Sequence, residues 1–416
     1  MKRQQNPITL LGVLLLIVAA LGFYFLIPDK DMDLTTCVQP GSTASEIGFL
    51  PPYLLKEIAH CYPGKSKYLQ TLTLTEKLKS SAQSRQGMFY QLFHRSARRV
   101  YDAKHLEDLP GLKARFEGEP PVRDMIVNNC YDYGGLVRDY YRAVHNREGL
   151  DGKGSRLKFV VHYGKDFENA YWDGEFMVFG DGDQEIFSTF VDLVVTGHEL
   201  THGVTENEAR TAYWGMPGAL NEHYSDVFGV LIKQWSLKQT AKQADWLIGD
   251  SLFTKKVAAG VKTDPERRKL PAALRDMLEP GTAYDITVNP KDPQSEHLKD
   301  EQPARLRDYK QTLSDNGGVH YNSGIANRAF ALFAISDGGY AYEKPAQIWY
   351  RARRLAGRTP SFVQFAYWTV KACRQLYPGD EELVAKLKKA WSTVDVVPDQ
   401  KEPDNRTPRI KDRPVH

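Results

Sequence analysis

The segment VVTGHELTHGV, residues 194–204, places two histidines four positions apart around a glutamate in an otherwise apolar stretch. On an α-helix, residues i and i+4 share a face, so His198 and His202 can both reach one metal ion. Glu199 lies on the same side and can contact a water molecule on that metal, which makes it a candidate general base. The pattern alone also fits a solvated amphipathic helix with incidental histidines.

A second segment, GALNEHYSDVFG at residues 218–229, offers the third protein ligand that a catalytic zinc requires. Glu222 and Asp226 are themselves four residues apart in a helical pattern. One of them can bind the metal while the other accepts the N–H of a ligating histidine. Such a run in isolation is also typical of a surface helix. Only its combination with residues 194–204 indicates a metal centre.

The two motifs, with nineteen residues between His202 and Glu222, resemble the thermolysin family of zinc endopeptidases. The resemblance covers residues 99–396. It is carried by YDAKHLEDLPG (101–111), VHYGKDFENAYWDGEFMVFGDGD (161–183), LRDMLEP (274–280) and DNGGVHYNSGIANRAF (315–330). It implies an α+β fold with two lobes, an N-terminal lobe built on an antiparallel sheet and a mainly helical C-terminal lobe. The active-site cleft then lies between the lobes.

The same resemblance implies a role for individual residues. His198, His202 and Glu222 are expected to bind one zinc ion, and Glu199 is expected to take the proton from the zinc-bound water that attacks the peptide carbonyl. The hydrogen-bond partners expected for the ligating histidines are Asp226 and, for His202, Asn221.

Further matches concern the substrate. Tyr213 and His320 match the two donors that stabilise the anionic intermediate, and Asp315 is expected to orient the His320 imidazole. Arg275 matches the arginine that binds a substrate carbonyl. Asn169 and Ala170 match the strand edge that pairs with the substrate backbone. The implied substrate is an extended polypeptide, cut on the amino side of a bulky apolar residue.

The amino terminus predicts export. Lys2 and Arg3 precede an uncharged run over residues 8–27, which is long enough to span a bilayer as a helix. We expect an uncleaved anchor, the alternative being a removed signal peptide, and either places the remaining chain outside the cytoplasm. The expected location is a bacterial-type cell envelope, with the enzyme facing outwards or secreted after processing.

FLPPYLLKEIAH, residues 49–60, resembles the short pro-segment motif of protealysin-like members of the family. Residues 31–97 are therefore expected to form a pro-segment and linker that covers the active site. Self-cleavage is expected near RQGMFY, residues 85–90, and a simple spacer is the alternative. The expected domains are residues 1–30 for the anchor or signal, 98–205 for the first catalytic lobe with the zinc helix, 206–396 for the helical lobe and 397–416 for a disordered tail.

Composition excludes some partners. The 55 Lys and Arg residues against 52 Asp and Glu residues leave a net charge of only +3 without a long block of like charge, so no nucleic-acid surface is expected. We expect a monomeric catalytic domain that acts on proteins or peptides. Four cysteines could form up to two disulfides, of which Cys37–Cys61 with Cys130–Cys373 is one arrangement.

One part of the family pattern is missing. Relatives commonly hold a double calcium site beside the zinc helix, and the acids it needs are replaced here. Val194, Lys233 and Leu247 stand at those positions, while Asp245 and Asp250 remain. A hard cation needs several oxygen ligands, so we expect this calcium site to be absent. Two interpretations of Lys233 stay open, a substitute for the cation and an ordinary surface lysine. The match near Val194 has a one-residue gap, so Asp192 is an alternative acid for part of the site.

Two other functions remain open at this stage. A catalytically silent, membrane-tethered binding module could keep the same fold without turnover. An aminopeptidase could use the same metal ligands, but it would need groups that capture a free amino terminus.

Overall fold

The structure is a computed structural model that describes residues 48–61, 66–85, 97–255, 257, 273–287, 297–399, 401 and 403. The helices are α1 (Pro52–Cys61), α2 (Ser66–Arg85), α3 (Met125–His145), α4 (Leu193–Asn207), α5 (Gly215–Leu237), α6 (Asp315–Asp337), α7 (Lys344–Ala356), α8 (Phe362–Leu376) and α9 (Glu381–Thr393). The strands are β1 (Arg98–Asp102), β2 (Leu112–Phe116), β3 (Leu157–Val161), β4 (Ala170–Trp172), β5 (Met177–Phe179), β6 (Leu247–Ile248), β7 (Arg275–Asp276), β8 (Asp285–Thr287) and β9 (His297–Lys299).

Strands β1 to β5 form one mixed sheet in the order β2-β1-β3-β5-β4. The central strands β1, β3 and β5 run parallel, and only the outer strands β2 and β4 are antiparallel to their neighbours. The expectation of an antiparallel sheet is therefore wrong for the centre of the sheet. The central strands are parallel because the chain, on its way from β1 to β3, passes through helix α3, which packs against both strands. A crossover of this kind joins strands that point the same way.

The second lobe is built around α5 and α6, which pack extensively against each other. Both helices are buried on almost every side, as expected for helices at the centre of a domain. Helices α7, α8 and α9 pack around them with a core of Trp349, Phe365 and Trp391. The α+β fold with a sheet lobe followed by a helical lobe is thus confirmed, and α4 lies at the seam because it contacts both β4 and α5.

The segment before the sheet is packed against the rest of the molecule. Gly48 forms a bridge with Tyr171 of β4, and Leu54, Leu55 and Ile58 bury the inner face of α1. Helix α2 contributes Leu74 and Leu78 to a cluster with Val160 and Tyr163 of the sheet lobe, among others. This segment is therefore folded onto the sheet lobe rather than extended away from it.

Several expectations fall on residues outside the described ranges, namely the anchor at residues 8–27, the cleavage region at 86–90 and most of the tail at 397–416. Within the described residues, no helix combines the length and the apolar character that crossing a membrane requires.

The suggested disulfide between Cys130 and Cys373 does not form. Both thiols are fully buried and unbonded. Cys130 lies on α3 against the sheet and Cys373 lies on α8 in the helical lobe, where each packs as a small core side chain. Cys37 lies outside the described residues, so its pairing with Cys61 stays a prediction.

Candidate active site

Helices α4 and α5 approach each other closely because glycines lie where they cross. A side chain at Gly229 would place its Cβ 2.8 Å from the Val194 carbonyl oxygen, and a Cβ at Gly197 would lie 3.0 Å from the Gly229 Cα. Real Cβ atoms do not tolerate such contacts with backbone. The small residues therefore allow the side chains of the two helices to converge on one point.

The convergence brings three ligand atoms together. His198 Nε2 and His202 Nε2 are 3.1 Å apart, and the Glu222 oxygens lie 3.4 Å and 3.3 Å from them. All three side chains are fully buried. Ligands held tetrahedrally at zinc distances are separated by about 3.3 Å from one another, so the cluster has the size that zinc requires.

The hydrogen bonds of the two Nδ1 atoms indicate which ring nitrogen of each histidine is available to bind a metal. His198 Nδ1 lies 2.9 Å from Asp226 Oδ1, and His202 Nδ1 lies 3.0 Å from Asn221 Oδ1. Because these oxygens are acceptors, each ring carries a proton on Nδ1, so that the neutral form of each ring has its lone pair on Nε2. In that form the two Nε2 lone pairs and the Glu222 carboxylate face one another, and they repel unless a cation lies between them. The set of donor atoms therefore fits Zn²⁺.

Glu199 lies beside the cluster without belonging to it. Its Oε2 accepts a hydrogen bond from the Trp172 backbone N–H at 3.1 Å, and its buried Oε1 accepts none from the described residues. Burial raises the pKa of Glu199 to about 8, and the positive charge of a bound cation would oppose this shift. One oxygen of the carboxylate is thus held in place while the other is left for a reacting group.

Tyr213 and His320 both contact Glu222. The Tyr213 hydroxyl donates to Glu222 Oε1 at 2.5 Å and lies 3.4 Å from His320 Nε2. Asp315 is 2.6 Å from His320 Nδ1 through one oxygen and accepts from the His320 backbone N–H through the other. The Asp315 and Glu222 carboxylates outweigh the effect of burial and raise the pKa of His320. His320 is therefore held as a donor directed at the cluster.

A turn before His320 makes this contact possible. Asn316, Gly317 and Gly318 adopt left-handed backbone angles, with φ of 50°, 80° and 79°. Glycine takes such angles without steric cost, and asparagine tolerates them better than most residues. The chain thus folds back at the start of α6 so that Asp315 reaches the ring five residues later.

The predicted substrate-binding residues contact the chain's own N-terminal segment. The Phe49 backbone N–H donates to the Ala170 carbonyl at 2.9 Å, and the Leu50 N–H donates to Asn169 Oδ1 at 2.8 Å. Arg275 is buried, and it donates to Asp226 Oδ1 at 2.8 Å. The strand edge expected to bind substrate is therefore paired with residues 48–50.

Phe49 lies at the candidate site, which the sequence patterns did not predict. Its ring lies edge-on to the His198 ring with centroids 5.0 Å apart, and the Arg275 guanidinium lies 4.8 Å from the Phe49 ring centre. The only signal in the sequence is its position just before the two prolines of the pro-segment motif. A single aromatic residue in a loop does not predict such a contact.

The region in which the calcium site is expected to be absent contains a lysine between two acids. Lys233 Nζ lies 3.1 Å from Asp245 Oδ2 and 3.2 Å from Asp250 Oδ2. Val194 and Leu247 are buried apolar residues. Asp192, another acid near this region, caps α4 by accepting from the backbone N–H groups of residues 194 and 195.

Comparison with known proteins agrees with this arrangement. Residues 70–206 match the thermolysin metallopeptidase catalytic domain, and residues 209–396 match the thermolysin metallopeptidase alpha-helical domain. The chain belongs to the thermolysin family. It is a zinc metalloendopeptidase of the protealysin-like kind.

Two bacterial relatives and one solved structure illustrate the similarity within the thermolysin family. The chain is 39% identical to an extracellular metalloprotease of Pectobacterium carotovorum subsp. carotovorum, over 83% of this chain and 95% of the relative. It is 40% identical to protease PrtS of Photorhabdus sp. (strain Az29), over 84% and 92% of the two chains. The solved precursor of protealysin, a metalloproteinase from Serratia proteamaculans, matches with a TM-score of 0.72 at 42% identity. That match covers 84% of this chain and all of the other.

Proposed function

We propose that this protein is an exported neutral endopeptidase, made as a precursor, that cuts polypeptides on the amino side of bulky apolar residues. The observation that carries the proposal is the buried convergence of His198, His202 and Glu222 with Glu199 beside it. The protein substrates follow from the family, whereas the residue roles, the cleavage preference and the precursor state are proposals.

In this proposal His198, His202 and Glu222 hold one zinc ion. Zinc supplies a Lewis acid that polarises the substrate carbonyl and lowers the pKa of water toward neutrality. Asp226 and Asn221 hold the two imidazole rings in the tautomer that leaves Nε2 free.

Glu199 accepts the proton of the attacking water on its free Oε1 and later delivers it to the leaving amine. The Tyr213 hydroxyl and the His320 Nε2–H donate to the oxygen on which negative charge develops. Their positions around Glu222 support this role because both can reach one point next to the ligand cluster. Asp315 keeps the His320 ring oriented.

Substrate is proposed to bind as an added strand on the β4 edge. Hydrogen bonds from the substrate backbone to Ala170 and to the Asn169 side chain do not depend on the substrate's sequence, as is typical of β-addition. In this structure residues 48–50, which are internal to the chain, form hydrogen bonds with these groups. This supports recognition of an extended segment rather than a free amino terminus. The buried Phe49 ring beside His198 and Arg275 supports the preference for a bulky apolar side chain next to the cut.

The same contacts support a precursor in which residues 31–97 block the cleft until they are removed. The protealysin structure that resembles this chain is itself described as a precursor. The domain boundaries at residues 31–97, 98–205 and 206–396 belong to this proposal. Cleavage between residues 86 and 90 would free the catalytic lobes from everything before them.

Export is supported by a relative from Pectobacterium carotovorum subsp. carotovorum that is described as extracellular. We therefore propose a secreted enzyme, for which the apolar run at residues 8–27 serves as the export signal. Membrane anchoring finds no support among the relatives, and neither does a catalytically silent membrane-tethered module, because the relatives are described as proteases.

Casein digestion tests the proposal. We expect the purified enzyme to produce internal fragments, to lose this activity with a zinc chelator and to regain it when zinc is restored. The Glu199→Ala variant should bind one zinc ion per chain, yet digest casein at least about a hundredfold more slowly. Stepwise trimming from the amino terminus would instead indicate an aminopeptidase. Activity that persists in Glu199→Ala would disprove the assigned base.

A further inference from the structure

A line of buried polar side chains leads from the core of the helical lobe to His198. Its members are Trp349 on α7, His223 on α5, Asn327 on α6 and Asp226 on α5, and each is fully buried. Three links of 2.8 Å join Trp349 Nε1 to His223 Nε2, His223 Nδ1 to Asn327 Oδ1, and Asn327 Nδ2 to Asp226 Oδ2. The last link joins Asp226 Oδ1 to His198 Nδ1 at 2.9 Å. We call this line the Trp349 chain.

The direction of each hydrogen bond follows from its first member. An indole N–H can only donate, so His223 Nε2 must accept with its lone pair. The proton of the His223 ring is then on Nδ1, from which it donates to Asn327 Oδ1. This contact determines which end of the Asn327 amide faces which neighbour, and it turns the NH₂ group toward Asp226.

Asp226 is held at both oxygens as a result. Its Oδ2 accepts from Asn327, and its Oδ1 accepts from Arg275 at 2.8 Å and from His198 Nδ1. A carboxylate with fixed donors on both oxygens cannot rotate away from the histidine. The His198 proton therefore stays on Nδ1, and the Nε2 lone pair remains directed at the ligand cluster.

We propose that Trp349, His223 and Asn327 are positioning residues that orient Asp226 and thereby keep His198 in the tautomer that binds zinc. The inference rests on the proposed role of His198 as a zinc ligand. None of the three side chains belongs to the ligand cluster, so their effect passes through Asp226. Loss of a direct hydrogen-bond partner of a metal ligand typically costs 10- to 100-fold in metal affinity. We expect the lower end of this range for residues one or more links further away.

The test is the zinc dissociation constant of the full-length protein, measured by competition with a fluorescent chelator in a Glu199→Ala background that prevents self-cleavage. The Trp349→Phe variant removes the donor that begins the chain. Trp391→Phe is the matched control, because the Trp391 indole is also fully buried and stacks on Trp349. It donates to Thr369 Oγ1 instead. We expect about a tenfold weaker zinc affinity for Trp349→Phe and less than about a twofold change for Trp391→Phe.

Two substitutions at His223 give an independent measurement. The amide of His223→Asn retains a donor close to the position of Nδ1, whereas His223→Leu removes it. Zinc affinity should be largely kept in the first variant and weakened about tenfold in the second. If either tryptophan variant fails to fold, the comparison at His223 decides the question.

Equal dissociation constants for the two tryptophan variants, or for His223→Leu and its parent, would overturn the role of the Trp349 chain. A parent protein that binds no zinc at all would instead overturn the zinc assignment itself. The two failures are therefore distinguishable.

Discussion

Around the ligand cluster, the chemistry of each side chain depends on which of its atoms already has a partner. The Nδ1 atoms of His198 and His202 are engaged by Asp226 and Asn221, so only the Nε2 atoms can bind a metal. Glu199 is similar, because one oxygen is held by a backbone N–H and the other has no hydrogen-bond partner among the described residues. Residue spacing predicts which side chains lie close together, whereas the hydrogen bonds determine which of their atoms remain available to bind a metal or a reactant.

The Tyr213 hydroxyl tests the proposed stabilisation of the developing oxyanion. In Tyr213→Phe we expect kcat to fall by about 10²- to 10³-fold, because a donor needed mainly in the transition state is lost. KM for a peptide substrate should change by less than about threefold, since ground-state contacts remain. Steady-state kinetics of the processed enzyme measure both constants.

Tyr224→Phe is the control for that measurement. The Tyr224 hydroxyl is buried without a hydrogen-bond partner among the described residues, so its removal should leave kcat unchanged. A Tyr213→Phe enzyme with normal kcat would exclude Tyr213 as a donor in the transition state.

Individual elements of the sheet lobe are joined by a charged histidine. His162 follows β3, and its ring lies between Asp181, after β5, and Asp124, the N-cap of α3. The hydrogen bond to Asp181 outweighs burial, and with Asp124 it raises the pKa of His162 to about 9. The imidazolium thus links the ends of two strands to the start of a helix.

This link predicts a pH dependence of stability. Because the folded pKa of His162 is above its unfolded value of about 6.5, its contribution is complete below that pH and is lost as the pH rises through about 9. We expect the free energy of unfolding to fall by about 2 kcal/mol over this window, less than full linkage because the ring is partly exposed. Urea titrations at several pH values measure it.

The His162→Asn variant should lack this component of the pH dependence. The His105→Asn variant should retain it, because the His105 ring is exposed and lies 3.5 Å from the same Asp181 carboxylate. An unchanged pH profile in His162→Asn would assign the effect to other groups.

Helix α5 carries the lysine that lies where relatives commonly bind calcium. We propose that Lys233 supplies the positive charge that Asp245 and Asp250 need. In zinc-replete buffer, removal of calcium by chelation should therefore leave the thermal midpoint unchanged. Lys233→Met should lower the free energy of unfolding by about 2 kcal/mol, since two partly buried carboxylates lose their partner.

Lys386→Met is the control for Lys233, because it breaks an exposed pair with Glu382 on α9. Solvent screens such a pair, so its loss should change stability little. A wild-type thermal midpoint that falls when calcium is removed would show that Lys233 does not replace the cation.

In the whole molecule, the N-terminal segment contacts the groups that are proposed to bind substrate. Residues 48–50 extend the β4 edge, and α1 contacts the helical lobe through Tyr53, which stacks on Tyr321 with 3.8 Å between ring centres. Helix α2 is held by Lys67 and Tyr68, which both contact Asp183 of the sheet lobe. In the proposed function the segment therefore competes with substrate at one end, while its other end is fixed to the sheet lobe.

Substitution of Phe49 should weaken this competition. In full-length Glu199→Ala protein, Phe49→Ala should increase the affinity for a labelled peptide with a central phenylalanine by at least about tenfold. The reason is that loss of a buried ring destabilises the closed state and raises the fraction of accessible clefts. Fluorescence anisotropy of the labelled peptide measures this affinity.

Leu69→Ala on α2 is the matched control, since that side chain belongs to the same segment but is 52% exposed. It should leave peptide affinity unchanged. Equal affinities in Phe49→Ala and its parent would mean that Phe49 does not block the cleft.

The sequence by itself predicted the candidate ligands His198, His202 and Glu222, the candidate base and the division into a sheet lobe and a helical lobe. The structure brings the three candidate ligands together and confirms the two lobes. The pairing of the two histidines depends on short-range periodicity, because residues four apart on a helix face the same way whatever surrounds them. The HELTH and NEHYSD segments needed only to be adjacent in space for His198, His202 and Glu222 to meet, and the resemblance to the thermolysin family implied that they would be.

The tertiary structure alone decided the parallel centre of the sheet, the place of Phe49 beside His198, the separation of Cys130 from Cys373, and the line of hydrogen bonds from Trp349 to Asp226. Each of these joins residues far apart in the chain, so it depends on how whole elements pack and not on local spacing. A buried hydrogen bond forms only where packing excludes water and leaves one partner within reach. No pattern along the sequence contains that information.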